Sequence, residues 1–91
     1  GKWVQNKEFI KSIGKENSLT LLAKGKIINF VAESLTKSSM KIHIKSNGNY
    51  IKNITIDKPQ LYEIAKLNKN KQNKLTLVAN KNLAVYSFSF Q

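Results

Sequence analysis

Hydrophobic and polar residues along the chain fall into short apolar runs separated by polar breaks, the pattern of β-strands rather than helices. "SLTLLA" (18–23) and "KIINFVA" (26–32) flank Gly25 and are rich in apolar residues. "MKIHIK" (40–45) alternates, with Met40, Ile42 and Ile44 on one face and Lys41, His43 and Lys45 on the other. That is the signature of a strand with one wet face. Asn47-Gly48 follows, a pair that tolerates the positive φ angles of a two-residue hairpin turn. Beyond the turn the phase slips: Ile51 can pair with Ile44, but Ile54 and Ile56 have the opposite parity, so a bulge or bend near Lys52–Asn53 is expected.

The tail predicts a second hairpin, "KLTLVA" (74–79) and "AVYSFSF" (84–90) joined through "NKNL". Strict alternation in the last strand puts Ala84, Tyr86, Phe88 and Phe90 toward the core and Val85, Ser87 and Ser89 toward water. Two stretches remain open on pattern alone. Residues 3–13 fit a strand or a loose arm, with Phe9, Ile10 and Ile13 also fitting a helical turn. Residues 57–67, "DKPQLYEIAKL", fit a helix capped by Asp57 or a strand entered past Pro59. Residues 67–74 read as a charged, solvated loop. Short strands with turns every ~8–12 residues predict an all-β antiparallel β-sandwich or barrel. The length suits one domain, residues 1–91, and the initial Gly suggests a piece of a larger protein.

Composition narrows the function classes. The net charge is +11, carried by 16 basic residues that are all Lys. Together with 11 Asn and 10 Ile, this composition is what AT-rich codons supply, so the charge need not report a partner. Arg, whose planar fork suits phosphate and guanine, is absent. A basic nucleic-acid-binding β domain using Lys-rich loops is therefore the alternative reading, not the leading one. No Cys is present, which removes disulfides, thiolate nucleophiles and thiolate metal sites from this chain. His43 stands alone between two lysines, without an orienting acid nearby in sequence. The five acids are scattered and show no calcium-loop spacing. The chain reads as non-enzymatic, without cofactor or metal, and without a transmembrane segment.

Several pieces taken in order resemble a known family. They are Gly1-Lys2-Trp3 followed by Glu8, the stretch "SLTLLAKGKIINFV" as an apolar strand pair, the Asn47-Gly48 turn, "KPQLYEI" (58–64) and the ending "LAVYSFSFQ". Their order is similar to the C-terminal domain of DipZ-type thiol–disulfide proteins, which open on GxW…E and end on AYxFxF. The resemblance implies a jelly-roll-like sandwich similar to carbohydrate-binding modules, and it favours a strand for residues 60–66. It further implies a monomeric accessory domain beside a thioredoxin-like domain of the parent chain. That chain would work outside the cytoplasm, in the periplasm or cell envelope, with its catalytic cysteines in the thioredoxin-like part. A saccharide partner would lie on an exposed aromatic with hydrogen-bonding groups around it. Trp3, Tyr50 and Tyr62 are the aromatics outside the closing strand, and Glu8 and Glu63 are acids at family-matching positions. These five are the candidate ligand-binding residues.

Overall fold

A computed structural model of the chain describes residues 2–5, 7–36, 38–67 and 72–91. They form nine strands: β1 (Trp3–Gln5), β2 (Ile10–Ser12), β3 (Asn17–Lys24), β4 (Ile27–Ser34), β5 (Met40–Ser46), β6 (Asn49–Ile56), β7 (Gln60–Lys66), β8 (Gln72–Ala79) and β9 (Leu83–Phe90). Residues 72–74, expected to lie in a loop, belong to β8; the expectation for residues 68–71 lies outside the described residues.

Two antiparallel sheets stack into a β-sandwich, one in the order β1-β2-β9-β4-β7, the other β3-β8-β5-β6. Consecutive strands mostly alternate between the sheets, so the apolar faces of both close on one core. "SLTLLA" and "KIINFVA" are accordingly not a ladder pair: β3 and β4 belong to opposite sheets. The core consists of Ile28, Phe30, Ala32, Tyr62, Ile64, Ala65, Leu83 and Val85 from one sheet, facing Ala23, Ile42, Ile44, Ile56, Leu75, Leu77 and Ala79 from the other. The alternation in β5 appears as read: Ile42 and Ile44 are buried, whereas Lys41, His43 and Lys45 are exposed. The β5–β6 turn is the expected one, with φ of 51° at Asn47 and 87° at Gly48.

Three register shifts explain where the period-two reading slips. Between β5 and β6, Ile44 pairs with Lys52 and Lys45 with Tyr50, which leaves Ile51 as an extra residue. The bulge sits one residue earlier than expected. Ile51 therefore does not pair with Ile44 and stands exposed, while Ile54 and Ile56 return to the inner face. Between β4 and β7, Ile28 pairs with Ala65 and Asn29 with Glu63, leaving Ile64 over. Consecutive Ile64 and Ala65 are both buried, a spacing that imitates a helical face. That is why residues 57–67 were ambiguous; they form a strand. Between β4 and β9, Val31 pairs with Ser87 and Ala32 with Val85, and Tyr86 is the extra residue. Leu83, Val85 and Phe88 consequently share the inner side, and Tyr86 turns outward.

The closing strand also has different neighbours from those expected. It pairs with β4 and β2, not with "KLTLVA", which pairs with β3 and β5. The chain crosses between sheets at Asn80–Asn82, where Asn82 takes φ 75°. Ser12 holds this crossing. Its hydroxyl donates to the Asn80 carbonyl at 2.7 Å and accepts from the Leu83 N–H at 3.0 Å, while its carbonyl accepts from Asn82 N–H at 2.7 Å. Asn17 performs a similar task at the chain entry, accepting from the N–H groups of Lys2 and Gly14 and donating to the carbonyls of Gly14 and Ala79. Both side chains are buried, and a buried polar group keeps its place only when its partners are supplied.

Candidate ligand-binding cleft

The outer side of the four-stranded sheet is built from the positions that alternate with the core. β5 contributes Lys41, His43 and Lys45, and β8 contributes Thr76 and Val78. Across the hairpin, Lys45 pairs with Tyr50 and His43 with Asn53. His43 Nδ1 is hydrogen-bonded to Asn53 Oδ1, and its ring lies 6.2 Å from that of Tyr50 at a tilt of 58°. The bulge at Ile51 sets this arrangement, because it keeps Tyr50 outward while the next residues turn in. Tyr50 is 57 % exposed, the largest exposure of a Phe, Tyr or Trp among the described residues. An open cleft of about 280 Å³ lies here, walled by Glu16, Lys41, His43, Lys45, Tyr50 and the segment Val78–Asn80.

A second open cleft of about 300 Å³ lies on the other sheet, where the β1–β2 connection passes over β9. Glu8, Phe9 and Tyr86 line it. Phe9 meets Tyr86 edge to face at 5.2 Å, and the Tyr86 hydroxyl donates to Glu33 Oε1. That bond pushes the Tyr86 phenol up to about 12, aided by burial and the charges of Glu33 and Glu8, because a phenolate would face a carboxylate. The aromatics of this second cleft are thus packed on one another and on an acid.

The five sequence candidates are not brought together. Tyr50 alone stands exposed over the first cleft. Glu8 lines the second, and Glu63 is exposed on β7 opposite Asn29 of β4. Trp3 is half-buried on β1 against the core, and its Nε1 donates to the Ser18 carbonyl at 3.1 Å. Tyr62 is buried, and its hydroxyl is consumed by the β6–β7 turn. It accepts from the Asp57 N–H at 3.0 Å and lies 2.8 Å from both Asp57 Oδ1 and the Lys58 carbonyl. That makes Tyr62 a clasp on the turn, without a face or hydroxyl left for a ligand. Sequence reasoning passed over His43, Lys41 and Lys45 as site residues, although their alternation already placed them on the wet face. Glu16 and Asn80 join the cleft only through the long-range β3–β8–β5 pairing, which no local pattern announces.

The Tyr62 clasp yields a pH prediction. Its hydrogen bond, then the Lys58 N–H, holds the Asp57 carboxyl below its ordinary value of 3.8, against desolvation. A depressed carboxyl stabilises the fold above its unfolded pKa, and that contribution disappears as pH falls through the folded pKa. Tyr62→Phe is therefore expected to melt below the wild type at neutral pH, with the gap narrowing below pH 3.8. Thermal melts from pH 7 to pH 2 would measure this; a gap constant across that range contradicts the clasp.

Among the described residues, no three His, Asp or Glu side chains gather as a metal site, and no helix is long and apolar enough to cross a membrane. No curated protein sequence matches the chain. Among solved structures, the fold is similar to part of a family two carbohydrate esterase from Clostridium thermocellum, determined in complex with cellohexaose. The TM-score is 0.84 at 10 % identity, over 98 % of this chain and 29 % of that one, so the likeness concerns the fold. The chain thus spans under a third of the esterase's length. Residues 1–90 match the family model described as the thioredoxin like C-terminal domain. The chain belongs to that family of C-terminal domains of thioredoxin-like proteins.

Proposed function

We propose that this chain is a non-catalytic accessory domain of an extracytoplasmic, DipZ-type thiol–disulfide protein, and that it presents the Tyr50–His43 cleft to saccharide. The observation that carries the reading is Tyr50, left 57 % exposed beside an open cleft that it helps to line. An aromatic face offers an apolar platform to the C–H face of a sugar, and His43, Glu16 and Asn80 supply hydrogen-bonding groups beside it. The family membership supports an accessory role, since a chain without Cys has no thiolate to exchange. Any redox chemistry of the parent then belongs to its thioredoxin-like part, against which this monomeric domain docks. The likeness to part of a carbohydrate esterase supports a saccharide partner for this kind of sandwich.

The test is a titration of the isotope-labelled domain with cellohexaose. Shifts should concentrate at Tyr50, His43 and Asn80, and Tyr50→Ala should weaken binding about tenfold, the loss of one aromatic contact. The variant should fold normally, because so exposed a ring contributes little to the core. Shifts scattered elsewhere, or binding indifferent to Tyr50→Ala, would remove the cleft from the reading.

A further inference from the structure

The cleft is charged in a particular way. The outward positions of its sheet hold Lys24, Lys41, Lys45 and Lys74 and no carboxylate; Glu16, just before β3, is the one acid lining the cleft. By contrast, Glu33 and Glu63 belong to the other sheet, with Glu8 in the loop beside it. Lys41 and Lys45 both line the cleft, four residues apart on one straight strand, so their backbones are roughly 13 Å apart. Standing outward on either side of His43, they offer two separate positive charges along the strand. His43 lies between them, and Tyr50 pairs directly with Lys45. A ligand laid along β5 would meet Lys41, then the His43 imidazole, then Lys45 with the Tyr50 ring beside it.

From this geometry we infer that the cleft selects acidic oligosaccharides, chains with a carboxylate on more than one sugar residue, over neutral ones. The inference rests on the saccharide reading of the same cleft and names its ligand class. Each Lys acts as an exposed point charge, so the gain per contact is modest and falls with salt. The net charge of +11 adds long-range attraction for a polyanion. Nucleic acid fits less well, because the chain contains no Arg fork for phosphate.

The experiment compares hexagalacturonate with its fully methyl-esterified form, which keeps the backbone and removes the charge, by calorimetry at 50 and 300 mM NaCl. The acid should bind about tenfold tighter at low salt, and that preference should shrink at high salt. Lys41→Gln/Lys45→Gln should erase the preference while leaving the ester unaffected. Lys7→Gln/Lys66→Gln, equal in charge but outside the cleft, should preserve it, and matching melting curves would establish that both double variants are folded. Equal binding of acid and ester overturns the inference but leaves the saccharide reading standing. A preference that survives Lys41→Gln/Lys45→Gln overturns it too. So does single-stranded oligothymidylate binding tighter than hexagalacturonate through the same lysines. Failure of the acid, the ester and cellohexaose alike removes the saccharide reading itself, and this inference with it.

Discussion

Deleting residues 86–91 is expected to leave a chain with no cooperative thermal transition. β9 is the middle strand of its sheet, between β2 and β4, and the deletion strips β4 of its partner from Ile28 to Val31. Phe88 goes with it, and its ring stacks on buried Phe30 at a centroid distance of 5.9 Å. Gln91 is lost as well. Its carbonyl accepts from Lys26 N–H at 2.6 Å and Ile27 N–H at 3.0 Å, closing the bend at Gly25. Gly25 takes φ 152°, and a Cβ there would sit 3.2 Å from that carbonyl, so bend and tail are fitted to each other. Burying a side chain of this size contributes about 1.5–3 kcal/mol, and each ladder bond about 1 kcal/mol. Losing several such contributions together is comparable with the whole stability of a small domain, roughly 5–15 kcal/mol. Calorimetry or far-ultraviolet circular dichroism would decide: a sigmoidal melt in the truncated chain would mean that β9 is not the fastening of the fold.

How much of this was legible beforehand follows from where the ladders are regular. β5 and its turn could be read from sequence because Lys41–Lys45 alternate without interruption and Asn47-Gly48 accommodates positive φ. The all-β character followed from the same local signals. A bulge, in contrast, is a property of two strands, and a sequence displays only one of them. Ile51, Ile64 and Tyr86 are each the extra residue of a bulge, and each reverses the parity of what precedes or follows it. Period-two reading placed the first bulge one residue late and could not locate the other two. It put Ile51 opposite Ile44, left residues 57–67 undecided, and assigned Tyr86 and Ala84 to the face of Phe88. The pairing of β9 was illegible for a related reason. "NKNL" resembles a hairpin turn, but Ser12, distant in sequence, binds Asn80, Asn82 and Leu83 and carries the chain across to the other sheet. For the cleft, Tyr50 follows closely on the Asn47-Gly48 turn, and Lys41, His43 and Lys45 were readable as the wet face of β5. Glu16 and Asn80 join them only through long-range pairing, which no local pattern announces.

The closing aromatics supply a test of how β9 is registered against the start of β4. Phe30→Ala is expected to cost about 3–5 kcal/mol, whereas Phe90→Ala should cost no more than about 1.5 kcal/mol. Phe30 is fully buried, with Tyr62 edge to face at 6.1 Å and Phe88 stacked upon it. Removing its ring opens a cavity that three neighbouring strands cannot fill without breaking their ladders. Phe90 is read from sequence as equally internal, yet it is 48 % exposed. It pairs with Ile28 near the start of β4, at the end of the strand pair, where it stays open to solvent. Denaturant unfolding of both variants, with slopes unchanged from wild type, would measure the difference. Comparable losses at Phe30 and Phe90 would mean that β9 is registered against β4 differently, with Phe90 inside the core rather than at its rim.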